Sequence, residues 1–211
     1  MAQELHLNNN ISLVPLRPED AVEMFPGLSD AKAYQFIPDT PPDTPETLRE
    51  RYQVLVSGGP PDAHEIWLNW VIRYGSNKVA AGYTQATITG KDALIGYHVF
   101  PAFWRKGIGS EAVTQTLENI FDRKDVTTAR AFVDTRNTGS ISLLEKLGFF
   151  RANTLENADF FKGQQSNEYE YILKKRDIFT PPPSEKLVIF INDTFEMGLF
   201  THLKTISYKK H

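Results

Sequence analysis

The run from Leu94 to Ala112, LIGYHVFPAFWRKGIGSEA, constrains this chain more than any other part of it. Residues with β preference lead to Phe100, and Pro101, which has no N–H, marks where strand pairing stops. A short basic loop follows, and Ser110 lies where a helix begins. Gly107 and Gly109 remove Cβ atoms where the backbone must wrap an oxyanion. The amides of Arg105, Lys106, Gly107, Ile108, Gly109 and Ser110 then converge at the first turn of a helix, which favours a bound phosphate. The Arg105 and Lys106 side chains add positive charge. Two competing readings use the same residues. Gly107 to Ala112 also fits G-x-G-x-x-A, the dinucleotide fingerprint, but that motif directly follows the first strand of a βαβ unit. Here six residues separate Phe100 from Gly107, and further strands precede. The other reading is a glycine-rich turn before an ordinary helix. No G-x-x-x-x-G-K-S/T run exists, so a nucleoside-triphosphate loop is excluded.

The rest of the chain supplies a fold around this run. Ile11 to Leu16 reads as a strand, and Pro18-Glu19-Asp20 opens a helix that stops near Pro26-Gly27. A second short helix is expected over Asp30 to Phe36, then a proline-rich loop. Thr44-Pro45 starts a helix carrying Leu48, Tyr52 and Leu55. Glu65–Tyr74, Lys78–Thr89 and Ala93–Phe100 form an antiparallel meander between turn clusters. Ser110–Asp122 is a helix, Ala129–Thr135 a strand and Thr138–Leu147 a helix capped by Gly148. Strands follow near Phe149–Asn153 and Glu168–Lys174. This order predicts an α/β fold on one mixed, mostly antiparallel sheet flanked by helices, with the domain over residues 9–177. Residues 178–211 are a C-terminal extension. It begins with a stiff Pro181-Pro182-Pro183 linker, with a strand at Leu187–Ile191 and a helix over Thr194–Leu203.

Composition narrows the function. Net charge is −3 with a pI near 6.0, so no basic field points to nucleic acid. There is no cysteine, which excludes disulfides, thiolate metal sites and a cysteine nucleophile. The histidines His6, His64, His202 and His211 show no metal-ligand spacing, and no metal is expected. The N-terminal residues lack a signal-peptide core and no run is long enough to span a membrane, so a cytoplasmic protein is expected.

A second segment, Asn137-Thr138-Gly139-Ser140 leading to Glu145-Lys146-Leu147-Gly148-Phe149, completes a pattern. Together the two segments resemble the acyl-CoA-binding core of the GCN5-related N-acetyltransferases (GNAT). Trp104, two residues before Lys106-Gly107, stands where most of that family carries Gln or Arg. This resembles the ribosomal-protein-alanine N-acetyltransferase (RimJ/RimL-like) subgroup. The resemblance implies the acyl-CoA N-acyltransferase fold and acetyl-CoA as co-substrate, held by the loop from Trp104 to Ser110 and by Asn137. It implies that the strand before the loop parts from its parallel neighbour, leaving His98, Val99 and Phe100 along an open edge. A backbone N–H there would polarise the thioester carbonyl.

The implied reaction is direct attack of a primary amine on the thioester. Amines have pKa values of about 8 to about 10, so a base is useful. Tyr97 and His98 are the candidates, alongside Asp134 on the neighbouring strand. Alternation puts Tyr97 and His98 on opposite faces, so one of them looks toward the acceptor. The tyrosine that many family members use to protonate the leaving thiolate is replaced by Leu144, and Ser140 is the candidate in its place. Asn137 is both a coenzyme contact and a helix cap on this reading. The acceptor, a small-molecule amine or a protein N-terminus, is expected between the first helices and the meander. That region carries Phe25, Tyr34, Phe36, Trp67, Trp70 and Tyr83, with Asp39, Asp43 and Glu46 in and after the proline-rich loop; an aromatic stripe of this kind also reads as core. The expected assembly is a monomer or homodimer, and the alternative function is a non-catalytic acyl-CoA-binding module.

Overall fold

The computed structural model describes residues 10–59 and 64–175, and two short strands at 188–190 and 204–206. Seven strands make one sheet: β1 (Ile11–Pro15), β2 (Glu65–Tyr74), β3 (Val79–Thr89), β4 (Asp92–Val99), β5 (Thr128–Asp134), β6 (Phe150–Phe161) and β7 (Gln164–Lys174). Their order is β1-β2-β3-β4-β5-β7-β6. Four helices accompany them: α1 (Ala21–Leu28), α2 (Pro45–Leu55), α3 (Ile108–Phe121) and α4 (Thr138–Lys146). Among the described residues no helix is long and apolar enough to cross a membrane.

Every neighbouring pair is antiparallel except β4 and β5. That parallel pairing covers only Asp92–Thr128, Ala93–Ala129 and Leu94–Arg130. Beyond Leu94 the two strands run on unpaired, β4 to Val99 and β5 to Asp134, so the sheet opens into a wedge.

Alternation assigns the two faces. Trp70, Thr84 and Tyr97 lie opposite one another across β2, β3 and β4. On this face Val113, Leu117, Ile120 and Leu144 of α3 and α4 pack against Ala86, Ile95, Ala131 and Val133. Thr116 donates to Thr84 at 2.9 Å, which satisfies both buried hydroxyls. Val71, Tyr83 and His98 lie on the opposite face, where Met24, Leu28, Leu48 and Tyr52 of α1 and α2 pack with Phe100. Each such buried side chain is worth about 1.5–3 kcal/mol. Gly27 is required at that contact, because a Cβ there would fall 2.2 Å from the Phe100 ring.

Three local expectations change. Helix α1 continues through Pro26 to Leu28, because Leu28 is buried and the carbonyl that Pro26 leaves unpaired belongs to exposed Val22. The second short helix is only a 3₁₀ turn, Ala31–Tyr34, capped by Asp30, whose carboxylate accepts from Lys32 N–H. The last two strands form a hairpin longer than expected, over 150–174. Its turn is Lys162-Gly163, both at positive φ (52° and 78°), the two-residue form that suits strand twist. Most of β6 is exposed, so no apolar alternation announces it. In the extension, Val188–Phe190 (β8) is a strand as expected and pairs with Lys204–Ile206 (β9). The expected helix over Thr194–Leu203 and the proline linker lie outside the described residues.

Candidate active site

The phosphate-loop expectation rests on α3, whose N-cap is Gly107 at φ 76°, ψ −4° with no side-chain cap. The first intrahelical bond runs from Glu111 N–H to Gly107 O at 3.1 Å. The amides of Ile108, Gly109 and Ser110 therefore have no partner within the helix, and an anion can take them. The two glycines serve different ends. Gly107 stands in open space and is needed for its left-handed backbone, shared by its neighbour Arg105 at φ 63°. Gly109 supplies room rather than an angle: a Cβ would sit 2.9 Å from the end of the Leu143 side chain of α4, which can shift to admit it. The Ile108 side chain is core, packed with Ile72 and Ala112, so only its amide serves the loop. Lys106 donates to Ala102 O at 3.0 Å and lies over the Phe103 ring, while Arg105 is exposed. Trp104 is 45% exposed, and its indole N–H donates to Val99 O at 2.6 Å. That bond ties the loop to the end of β4.

The open edge of β4 is narrower than expected. Phe100 N–H donates to Ala81 O at 2.9 Å, and its side chain is core, so Phe100 offers no amide to the wedge. In an antiparallel ladder the backbone groups of successive residues point to alternate sides. His98 therefore shares the orientation of Phe100 toward β3, and the amides of Tyr97 and Val99 face the wedge.

Tyr97 and Ser140 are brought together. Their hydroxyls share a 2.6 Å hydrogen bond joining β4 to α4. Ser140 is held by Asn137, whose side-chain oxygen accepts from Ser140 N–H at 3.1 Å, so Asn137 is the helix cap. Burial pushes the Tyr97 phenol up to about 12, against the lowering effect of Ser140. Tyr97 is thus protonated at neutral pH. Leu144 is fully buried core.

His98 faces the α1/α2 side in an aromatic box. Tyr83 stacks on it at 5.3 Å and 19°, Tyr34 lies tilted at 5.3 Å, and Phe100 meets it edge-on at 6.2 Å. The ring is 7% exposed and its Nε2 has no partner among the described residues. Burial lowers its pKa to about 4 despite the opposing pull of Asp39. Next to the box, a recess between α2 and β3 is lined by Tyr34, Asp39, Arg51, Tyr52, Tyr83 and Gln85. Arg51 donates to Asp39 at 2.9 Å there, and the hydroxyl of buried Tyr52 also has no partner. Burial raises the phenols of Tyr34, Tyr52 and Tyr83, which stay protonated.

Across the wedge the chemistry is ionic. Burial raises Asp134, but Arg136 and Ser166 outweigh it and leave that carboxyl at about 2. Arg136 binds it at 2.5 Å and Ser166 at 2.7 Å, so the expected base Asp134 is a paired anion. Glu168 lies opposite Asp134 in register, and burial with the charges of Asp159 and Asp134 raises its pKa. Only strand register sets Glu168 beside Asp134, so no local spacing in the sequence marks it. Among the described residues no group of three acidic or histidine side chains is placed to hold a metal.

The sheet thus parts after three parallel pairs, with an uncapped glycine-led helix at the opening. The family described as "Acetyltransferase (GNAT) domain" matches residues 10–150. The chain belongs to the GNAT acetyltransferase family. The uncharacterized N-acetyltransferase p20 of Bacillus licheniformis is 34% identical over 85 residues, which is 40% of this chain and 48% of that protein. The match thus spans about half the length of that relative. The spermidine N-acetyltransferase from Vibrio cholerae, solved with CoA and spermine, superposes with TM-score 0.70 at 16% identity, over 82% of this chain and 99% of that one. The ribosomal L7/L12 α-N-protein acetyltransferase RimL superposes with TM-score 0.68 at 18% identity, over 78% and 90%. Both share the GNAT fold with this chain.

Proposed function

We propose that this GNAT protein moves an acetyl group from acetyl-CoA to a primary amine, with residues 9–177 as the catalytic domain of a cytoplasmic enzyme. The observation that carries the reading is the wedge between β4 and β5, with the Val99 amide on its edge and the uncapped amides of α3 at its end. These residues fit a thioester that ends in phosphates. Ile108, Gly109 and Ser110 would hold a phosphate through their amides, and the Val99 N–H would stabilise the oxyanion formed as the amine attacks. Such a donor is worth about 3 kcal/mol of barrier.

Tyr97, backed by Ser140, gives the departing thiolate its proton, the task for which Leu144 has no group. On the other face the unpartnered Nε2 of His98 accepts a hydrogen bond from the amine and orients it. With its pKa near 4, His98 does not retain the proton. Glu168, raised and on the same face, is the better relay. Trp104 and the likeness to RimL support the RimJ/RimL-like subgroup, whose acceptors include protein N-termini. The likeness to a spermidine enzyme supports a small amine. A non-catalytic acyl-CoA-binding module is the second reading, favoured by Leu144 alone.

Release of CoA thiol, followed with a thiol-reactive dye, tests the proposal. A chain without cysteine contributes no background. A panel of small amines, amino acids, polyamines and peptides with varied N-termini is expected to give a rise with one class. Silence across the panel, with acetyl-CoA still bound, would favour the binding module or a large protein acceptor instead.

A further inference from the structure

The two halves of the sheet, β1–β4 and β5–β7, pair directly only at Asp92–Leu94. At the other end of the wedge a second link crosses the acceptor face. The turn of the β6–β7 hairpin carries Lys162, whose ammonium donates to the carbonyl oxygens of Tyr34 and, at 2.9 Å, of Ile37. Tyr34 ends the 3₁₀ turn after α1 and Ile37 lies three residues on, so the ammonium bridges the turn and the chain leaving it. The hairpin tip is itself anchored. Phe161 is buried, the Lys162 ammonium and the Arg136 guanidinium lie over its ring, and Arg136 is fixed by Asp134.

We propose that Lys162 is a positioning residue: it clasps the hairpin to the Tyr34 turn and holds the Tyr34 ring over His98. The role assigned to His98 rests on the transferase reading, but the clasp does not. Of the rings that box His98, Tyr83 and Phe100 belong to the sheet and its immediate end, and only Tyr34 comes from a connecting segment. Tyr34 is therefore the cover that can lift, and Lys162 is what holds it down. The titratable groups facing the imidazole are Tyr34 from the turn, Tyr83 from β3 and Asp39 from the loop before α2, with Arg51 of α2 neutralising Asp39. None of these belongs to the hairpin, so the clasp acts on His98 through the position of Tyr34 and the water it excludes.

The test is an NMR pH titration of the His98 imidazole in the full-length chain, assigned by its loss in His98→Gln. Lys162→Met keeps an unbranched apolar side chain and removes the donors together with the cation over Phe161. It is expected to raise the His98 midpoint by about one unit or more toward the exposed value of about 6.5. Lys162→Arg, which still reaches both carbonyls, restores the low midpoint. Tyr34→Ala reproduces the rise, and adding Lys162→Met to it changes nothing further. An unmoved midpoint in Lys162→Met, or a further rise in the double variant, overturns the clasp. If the protein turns over, Lys162→Met also adds an acid limb to kcat/KM for the amine while acetyl-CoA affinity stays unchanged. The titration reads the clasp whether or not any amine is acetylated, so failure of the transferase reading stays distinguishable.

Discussion

The two faces of the parted sheet are built on opposite plans. The α3/α4 face works through backbone: an uncapped helix start, a left-handed glycine, and an amide freed by a missing strand partner. Its few side chains, Tyr97, Ser140 and Asn137, are locked to one another by hydrogen bonds. The α1/α2 face works through side chains, with His98 Nε2 and the Tyr52 hydroxyl both buried and without a partner among the described residues. A buried polar atom without a partner costs about 1–3 kcal/mol. On the first face the open groups are backbone donors, the amides of Ile108, Gly109 and Ser110, whereas on the second they belong to side chains.

The contrast is sharpest at Tyr97. If the locked face supplies the proton for the leaving group, Tyr97→Phe should lower kcat by about 100-fold or more while acetyl-CoA affinity holds. Ser140→Ala should give a smaller loss in the same steady-state measurement. Equal rates for wild type and Tyr97→Phe would assign the proton elsewhere.

The open face is tested by acid. The folded pKa of His98, about 4, lies below the unfolded value near 6.5, so the unfolded chain takes up its proton first as pH falls. Stability from this group is intact above about 6.5 and is lost between there and about 4, on the order of 3 kcal/mol in all. Asp134 acts in a lower window, where its support fades as pH falls below 3.8 toward about 2. Urea unfolding of His98→Gln at pH 7 and pH 4.5 should therefore show a smaller acid loss than wild type.

The smallest effects separate the two glycines. Gly107→Ala forces a side chain into left-handed backbone, at about 1–2 kcal/mol, and calorimetry should show weaker acetyl-CoA binding. Gly109→Ala meets only the flexible end of Leu143, so thermal unfolding should move by a few degrees at most.

This division also explains what the residues revealed unaided. The α3/α4 face was legible because its parts lie in two short runs, 94–112 and 137–149, where backbone chemistry is written as glycine, proline and a cap. The shared duty of Gly107 and Gly109 was not, since one needs an angle and the other a gap. The α1/α2 face draws on Tyr34, Arg51, Tyr83, His98 and Lys162, and no local spacing joins them. Tyr97 was read as a base because its strand position was visible and its contact with Ser140, across 43 residues, was not. The outer half of β6 escaped notice because exposed strands carry no apolar rhythm.

The indole of Trp104 has a consequence of its own. By binding Val99 O it joins the anion cradle to the strand edge that would meet the reacting carbonyl. The bond fixes the separation between cradle and edge, and under the proposed function that separation would act as a ruler against which the length of a donor, from phosphate to thioester, is measured.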